Sequence, residues 1–421
     1  MSPRSFFLRL LLGIAVIVGL LGCFNGFVDH SRLFGSPGVV GFNYWKPFFF
    51  NGQFTAKPYR VRQMKPDALI FGTSRAGASL STEHPGWDGY RAYNFALAGA
   101  TAEIQWWNFR HATAVTAVRK GVLALDFMMF NSCRKQGKDP HFQEYRQRLL
   151  LDSEGVNWRY PVGFLVDHLR GLTSLESTRL SWLTWRAQGK FEEADSGHLH
   201  LYEDGHWQRF PAKSESVYQG FVLIERSYLR ESWFPSPGHC YSLAAVDGHQ
   251  QLEYLRHLLD LAYSEGVELH VYFSPFHARF ADAMAAAGLW SEFEQLKREV
   301  LSMNLELAKN YGEEPFPLWD FSGYNSISTE VIPKRGDRVS RMQYFVDGTH
   351  STRLTGDMVQ DRLFDTLAAA TRLPVDFGIR LLPETIDAAL EKGRQQQLLY
   401  QTAHPQQTAS LTAMAKKFGR N

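Results

Sequence analysis

Short apolar runs that alternate with longer amphipathic stretches constrain the fold of this chain more than any other feature. Ala68-Leu-Ile-Phe71 is four apolar residues closed by Gly72, the signature of a strand buried on both faces. Tyr93–Leu97, closed at Gly99, is a second run, and Val122–Phe127 a third. Val267–Phe273 follows Gly266 as a fourth. Phe316–Phe321, interrupted by Pro317, is a fifth. Helical spacing fills the intervals: from Thr101 to Val118, then across Leu252, Leu255, Leu258, Leu259 and Ala262, then across Trp290, Phe293, Leu296 and Val300. A last helix is expected from an N-cap near Thr355 to about Leu373. This alternation predicts an α/β fold: a five-stranded parallel sheet with helices on both faces. Chemistry in such sheets gathers at the carboxyl ends of the strands.

The N-terminus adds a second constraint. Leu10–Val28 is an uncharged run of 19 residues preceded by Arg4 and Arg9 and followed by Asp29. At a helical rise it reaches about 28 Å, close to the hydrocarbon thickness of a bilayer. The flanking charges favour the N-terminus inside and the remainder outside. An uncleaved signal anchor is the leading reading. A lipoprotein signal ending at Cys23 and a cleaved secretory peptide are the alternatives.

Four regions are expected. Residues 1–30 are the anchor or signal, and 31–66 an irregular lead-in rich in Gly, Pro and aromatics. Residues 67–373 are the α/β domain, and 374–421 a helical or flexible, peripheral tail, helical near 384–400. Within the domain, about 133–241 breaks the strand–helix rhythm and is too long for an ordinary connection. It reads as an inserted cap over the active edge, with helices near 141–152 and 173–186.

Outside the apolar run only Cys133 and Cys240 remain. Two readings compete for them: a single disulfide in an exported domain, or two buried thiols. No Cys/His cluster has metal-ligand spacing, and no cofactor is implied. The net charge is +2, with no Lys/Arg stripe interleaved with aromatics, which argues against nucleic acid as a partner.

The residues that carry chemistry are Ser74, Asp347 and His350. A serine hydroxyl becomes a useful nucleophile when a base takes its proton, and the base works best when a carboxylate fixes its tautomer. Ser74, in Phe71-Gly-Thr-Ser74-Arg75, follows the first strand. Gly99 follows the second and Asn131 the third. Asp347-Gly-Thr-His350 lies in the loop before the last helix. All of them fall on one edge of the expected sheet. Plainer roles stand beside these. Ser74 is also a candidate N-cap, Asp347 a turn residue, and His350 a solvated loop histidine. Arg75 either meets an anionic substrate group or makes a salt bridge within its own helix. His277, after the fourth strand, is either a substrate contact or a loop histidine.

Taken together, GTSR, YNFALAGAT, LALDFMMFN and the C-terminal DGTH resemble the sequence blocks of SGNH/GDSL hydrolases. Among these the chain is most similar to membrane-anchored bacterial members with a cap, such as the wall D-alanylation and alginate O-acetylation proteins. The likeness covers about residues 65–130 and 245–370. It implies a flavodoxin-like three-layer sandwich and a single-pass protein of the bacterial inner membrane, facing the periplasm or exterior. It implies Ser74 as nucleophile, His350 as base and Asp347 as its orienting acid. The oxyanion hole would use the N–H groups of Ser74 and Gly99. The family's side-chain donor sits in Gly-x-Asn-Asp after the third strand. This chain has Asp126-Phe-Met-Met-Phe-Asn131 there, so Asn131 is the candidate, several residues late. The implied activity is a serine esterase or O-acyltransferase acting on an envelope or secreted polysaccharide. The alternative is a non-catalytic envelope module that binds glycan or a membrane acyltransferase.

Overall fold

The computed structural model describes residues 3–134, 140–152, 155–190, 197–210, 212, 215–234, 240–367 and 373–419. Its centre is a six-stranded, mostly parallel sheet. The strands are β1 (Ala68–Phe71), β2 (Ala92–Asn94), β3 (Lys120–Leu125), β8 (Glu268–Phe273), β9 (Leu318–Asp320) and β10 (Ile379–Arg380). Two cap hairpins, Leu151–Asp152 with Gly155–Val156 and β6 (Leu199–Leu201) with β7 (Trp207–Arg209), account for the intervening numbers. The order across the sheet is β10-β9-β8-β3-β1-β2. All neighbours are parallel except β10, which runs antiparallel to β9.

All five expected strands are present, but the sheet has a sixth, contributed by residues beyond 373. Its signal was too short to read: two residues pair with Trp319 and Asp320 and end there. Pro317 stands just before β9, where it has no N–H to lose from the ladder, and its carbonyl accepts from Val271 N–H at 3.0 Å.

Strand residues alternate between the two faces, as the pleat requires. Leu69, Phe71, Leu123, Leu125, Val271 and Phe273 join one buried cluster. There they meet helices α4 (Ala102–Val115), α9 (Gln251–Ser264) and α11 (Trp290–Tyr311). Ala68, Ile70, Val122, Ala124 and Tyr272 face the other way, toward α3 (Ser74–Ser79) and α12 (Arg353–Leu363). Each Val, Leu, Ile or Phe side chain buried this way contributes about 1.5–3 kcal/mol.

Three expectations need correction. Helix α12 is capped by Thr352, whose Oγ1 accepts from Thr355 N–H, so Thr355 lies inside the first turn. It ends at Leu363, with Phe364 as its C-cap, well short of the expected Leu373; residues 368–372 lie outside the described ones. The lead-in is not wholly irregular, because α2 spans Gln53–Met64. The tail is not peripheral: Tyr400, Leu411 and Ala415 of helices Ile386–Ala403 and Pro405–Phe418 are buried in the main core.

The ends of the stretch expected as an insert are fastened together at the exit of β3. Cys133 and Cys240 form a disulfide with Cα atoms 5.8 Å apart. Ser132 N–H donates to Ser242 carbonyl at 2.8 Å. Within the insert lie α5 (Pro140–Arg146), α6 (Tyr160–Thr173), α7 (Leu175–Ala187), the β6–β7 hairpin and α8 (Val217–Ser227). The N-terminal helix α1 (Pro3–Val28) is long and apolar enough to cross a membrane.

Candidate functional site

The loop after β1 is shaped before any catalytic group enters it. Gly72 has φ 150°, and a Cβ there would stand 2.8 Å from Ala124 Cβ and 2.9 Å from Ala76 Cβ. No other residue fits the turn. The Gln105 side chain takes both polar groups of Gly72, accepting from its N–H at 3.1 Å and donating to its carbonyl at 2.8 Å. Thr73 is the N-cap of α3, its Oγ1 accepting from Arg75 N–H at 3.3 Å. The capping duty that competed for Ser74 therefore belongs to its neighbour. Ser74 occupies the first helical position.

Ser74 Oγ lies 2.9 Å from His350 Nε2. The other ring nitrogen, Nδ1, is 2.9 Å from Asp347 Oδ2. Asp347 also folds the loop that carries both residues. Its Oδ1 accepts from Thr349 N–H at 2.8 Å and from His350 N–H at 2.9 Å. Burial alone would raise the Asp347 carboxyl. The charge and hydrogen bond of His350, with the two backbone N–H groups, outweigh it and hold the carboxyl well below the usual carboxylate range. An ionised Asp347 can only accept, so Nδ1 carries the proton and Nε2 presents a lone pair to Ser74. Two segments 276 residues apart, the start of α3 and the loop that carries Asp347 and His350, thus form one hydrogen-bonded line.

Arg75 takes neither of its expected roles. Its guanidinium is buried, 3.3 Å from Asp126 Oδ1, and flanked by the rings of Phe276 and Phe280. Burial opposes its charge. Asp126, Tyr228 and Asp347 outweigh that penalty and keep its pKa above the ordinary value. Asp126 in turn accepts from the Thr73 hydroxyl. The residues on either side of Ser74 are therefore both tied to the carboxylate that ends β3.

Gly99 sits in an exposed turn closed by Ala100 N–H to Leu97 carbonyl at 3.1 Å, with φ 69°. It follows β2, the neighbour of β1, and so lies on the same sheet edge as Ser74. Asn131 does not serve as a side-chain donor to this edge. Its Nδ2 donates to Cys240 carbonyl at 2.7 Å, and its Oδ1 accepts from Cys133 and Ser242 N–H at 3.1 Å. It is the clasp of the insert. His277 is also corrected. It is fully buried as the N-cap of α10 (Ala278–Ala286), with Nδ1 accepting from Arg279 N–H and Nε2 donating to Glu330 carbonyl at 2.7 Å. Burial pushes its imidazole down to about 4.

A cavity of about 680 Å³ opens beside His350 and Asp347. The cap supplies one wall, with Leu199, Trp207, Val217, Leu223 and Ile224. Met342 and Phe345 supply the other. Polar groups among its lining include Arg209, Glu215, Arg341 and Arg353. The Trp207 ring stands 6.3 Å from that of His350. Sequence reasoning missed Trp207 because nothing local marks a cap tryptophan as a site residue. Asp126 did carry a signal, as an acidic residue closing an otherwise apolar strand. Among the described residues no group of three or more His, Cys, Asp and Glu side chains is arranged to hold a metal ion.

No protein-family model matches this chain, and no curated protein matches its sequence.

Proposed function

We propose that this chain is a membrane-anchored serine esterase or O-acyltransferase, acting on an envelope or secreted polysaccharide through an acyl-enzyme on Ser74. The observation that carries this reading is the line Ser74 Oγ, His350 Nε2, His350 Nδ1, Asp347 Oδ2, with 2.9 Å at each contact. Strand order supports it too. The five parallel strands run 2-1-3-4-5 in sequence order, the arrangement of flavodoxin-like sheets, which bind at their carboxyl edge.

In this mechanism His350 Nε2 takes the Ser74 proton as Oγ attacks the ester carbonyl. The backbone N–H groups of Ser74 and Gly99 receive the oxyanion. His350 then protonates the leaving alcohol, and the acyl group stays on Ser74. Water or a sugar hydroxyl, deprotonated by the same nitrogen, carries it away and restores the serine. With Asn131 occupied in the clasp, the oxyanion donors are backbone groups alone. The apolar walls of the cavity suit the acyl moiety, and its polar groups suit a glycan. Residues 10–28 would hold the protein in a bacterial inner membrane with the domain outside, within reach of a membrane acyltransferase.

A fluorophosphonate probe tests the reading on the full chain in detergent. Wild type should become labelled and Ser74→Ala should not, with hydrolysis of a small acetyl ester lost in parallel. Equal labelling of both would remove Ser74 from the mechanism. A wild type that neither labels nor hydrolyses would leave the cleft as a binding site for glycan or acyltransferase. Adding an acceptor glycan separates transfer from hydrolysis by where the acyl group ends.

A further inference from the structure

The cap contains an apolar surface that the proposed activity does not use. Helix α6 exposes Val162, Leu165, Val166 and Leu169, at i, i+3, i+4 and i+7. That spacing makes one continuous apolar stripe. On a cap helix it would ordinarily face inward. The inward face of α6 is already filled by other residues: Asp167 ion-pairs with Arg148 at 2.7 Å and accepts from Tyr59, and Phe164 stacks on His168. Trp158 (72% exposed) borders the stripe beside Val162 and Val166, and α7 exposes apolar side chains of its own, Leu175 (86%), Trp182 and Trp185.

The hairpin of α6 and α7 is seated on α1. Leu172, at its turn, packs on Gly22 and Gly26 of α1, where a Cβ would meet it at 3.8 and 3.2 Å. Asn25 Nδ2 donates to Leu172 carbonyl at 2.8 Å and to Thr178 Oγ1 at 2.9 Å. Trp182 shares a recess with Leu21 and Phe24.

We propose that the α6–α7 hairpin lies in the surface of the lipid bilayer beside α1, its Val162–Leu169 stripe turned into the acyl boundary. The proposal rests on the reading of α1 as a membrane span. If Val28 marks the outer limit of the hydrocarbon, Gly22 to Gly26 lie roughly 3–9 Å below it at a helical rise. An interfacial helix buries its apolar face by about 5–10 Å, so the two depths agree. Charge agrees as well. Arg159 and Arg186 are exposed on the hairpin, Arg170 is exposed 3.5 Å from Glu144, and the hairpin's two acids are neutralised, Asp167 by Arg148 and Glu176 by Arg179. An anionic lipid surface fits that balance. The exposed apolar surface of α1 meets that of the hairpin at Trp182, beside Leu21 and Phe24, which points to lipid rather than to a separate protein partner.

Nitroxide accessibility on the full chain tests this in vesicles of phosphatidylethanolamine and phosphatidylglycerol. In a Cys23→Ala background, labels are placed singly at Leu165→Cys, at Val16→Cys in α1, and at exposed Val339→Cys. Leu165 and Val16 should collide with oxygen more than with a water-soluble nickel complex, and Val339 should do the reverse. A Leu165 label that behaves like Val339 while Val16 reads lipid would overturn the proposal. So would a Leu165 label shielded from both reagents, since that means a protein cover. If Val16 also reads water, the membrane reading of α1 fails and takes the proposal with it. Fluorophosphonate labelling at Ser74 on the same samples reports folding and is independent of these outcomes.

Discussion

Asp347 performs two tasks with one carboxylate, and they separate under mutation. Oδ2 orients His350, while Oδ1 gathers two backbone N–H groups of its own loop. Asp347→Asn leaves an acceptor for the loop but lets the amide stabilise the wrong imidazole tautomer. Ester hydrolysis should fall by about 10⁴-fold, with a far-ultraviolet spectrum like that of wild type. The same carboxyl contributes to acid stability. Its folded pKa is depressed, so its contribution is complete above the unfolded value near 3.8 and is lost as pH falls toward the lower folded value. Urea midpoints should decline over that acid range in wild type and decline less in Asp347→Asn. Arg75 and Asp126 form a pair with side chains 6% and 3% exposed. Arg75→Met strands a buried carboxylate and should cost about 3–5 kcal/mol in urea unfolding. In an Asp126→Asn background the same change should cost much less. Equal costs in both would show that the two groups are not coupled.

At the scale of elements, the cap matters because it is fastened to the sheet both at the exit of β3 and at β2, where Asn94 N–H donates to Asp204 carbonyl at 2.7 Å, and because it also walls the site. The disulfide and Asn131 fasten it at the exit of β3. Trp207 and α8 line the cavity. The bridge spans 107 residues, so chain entropy sets its contribution at about 4–5 kcal/mol, an upper figure if the reduced chain retains structure. Replacing Cys133 and Cys240 with Ser should lower the unfolding midpoint accordingly. It should also weaken substrate binding more than turnover, since His350 and Asp347 are carried by a loop outside the insert. A raised KM with nearly unchanged kcat is the expected pattern. Loss of kcat alone would mean that the cap also positions the triad.

For the whole molecule, the buried His111 and His277 and the half-buried His30 share an acid liability. His30, His111 and His277 are each pushed down to about 4 from an ordinary 6.5, in every case mainly by burial. For two of them the hydrogen bonding requires the neutral ring. His111 Nδ1 accepts from Leu150 N–H and Nε2 donates to Pro58 carbonyl. His277 repeats that arrangement with Arg279 and Glu330. Between pH 4 and 6.5 each of these three imidazoles binds more protons unfolded than folded, so its contribution to stability rises with pH across that window and is lost as pH falls through it. Burial raises the carboxyls of Glu103, Glu225 and Asp282, which act with the opposite sign. The histidine contribution is therefore read by difference: the gap in urea midpoint between wild type and His111→Gln or His277→Gln should shrink as pH falls from 6.5 to 4. A gap that does not change with pH would contradict the assignment.

What the sequence determined by itself was whatever local chemistry writes into a short run. The five parallel strands were legible because strands buried on both faces must be continuously apolar. The long apolar helix α1 was legible because length and hydropathy are local quantities. Ser74 and the Asp347–His350 pair were legible because a loop at a strand end has few reasons to hold those residue types at that spacing. The tertiary structure alone decided the pairings. Thr73 took the cap and released Ser74. Arg75 turned inward because Asp126, 51 positions along, ends the strand beside it. Asn131 and His277 sit at strand ends like true site residues, yet backbone groups from distant segments saturate both. Whether a polar side chain faces a ligand or closes the fold depends on which donors and acceptors arrive beside it. That is a property of the packed chain, set by contacts between residues far apart in the sequence.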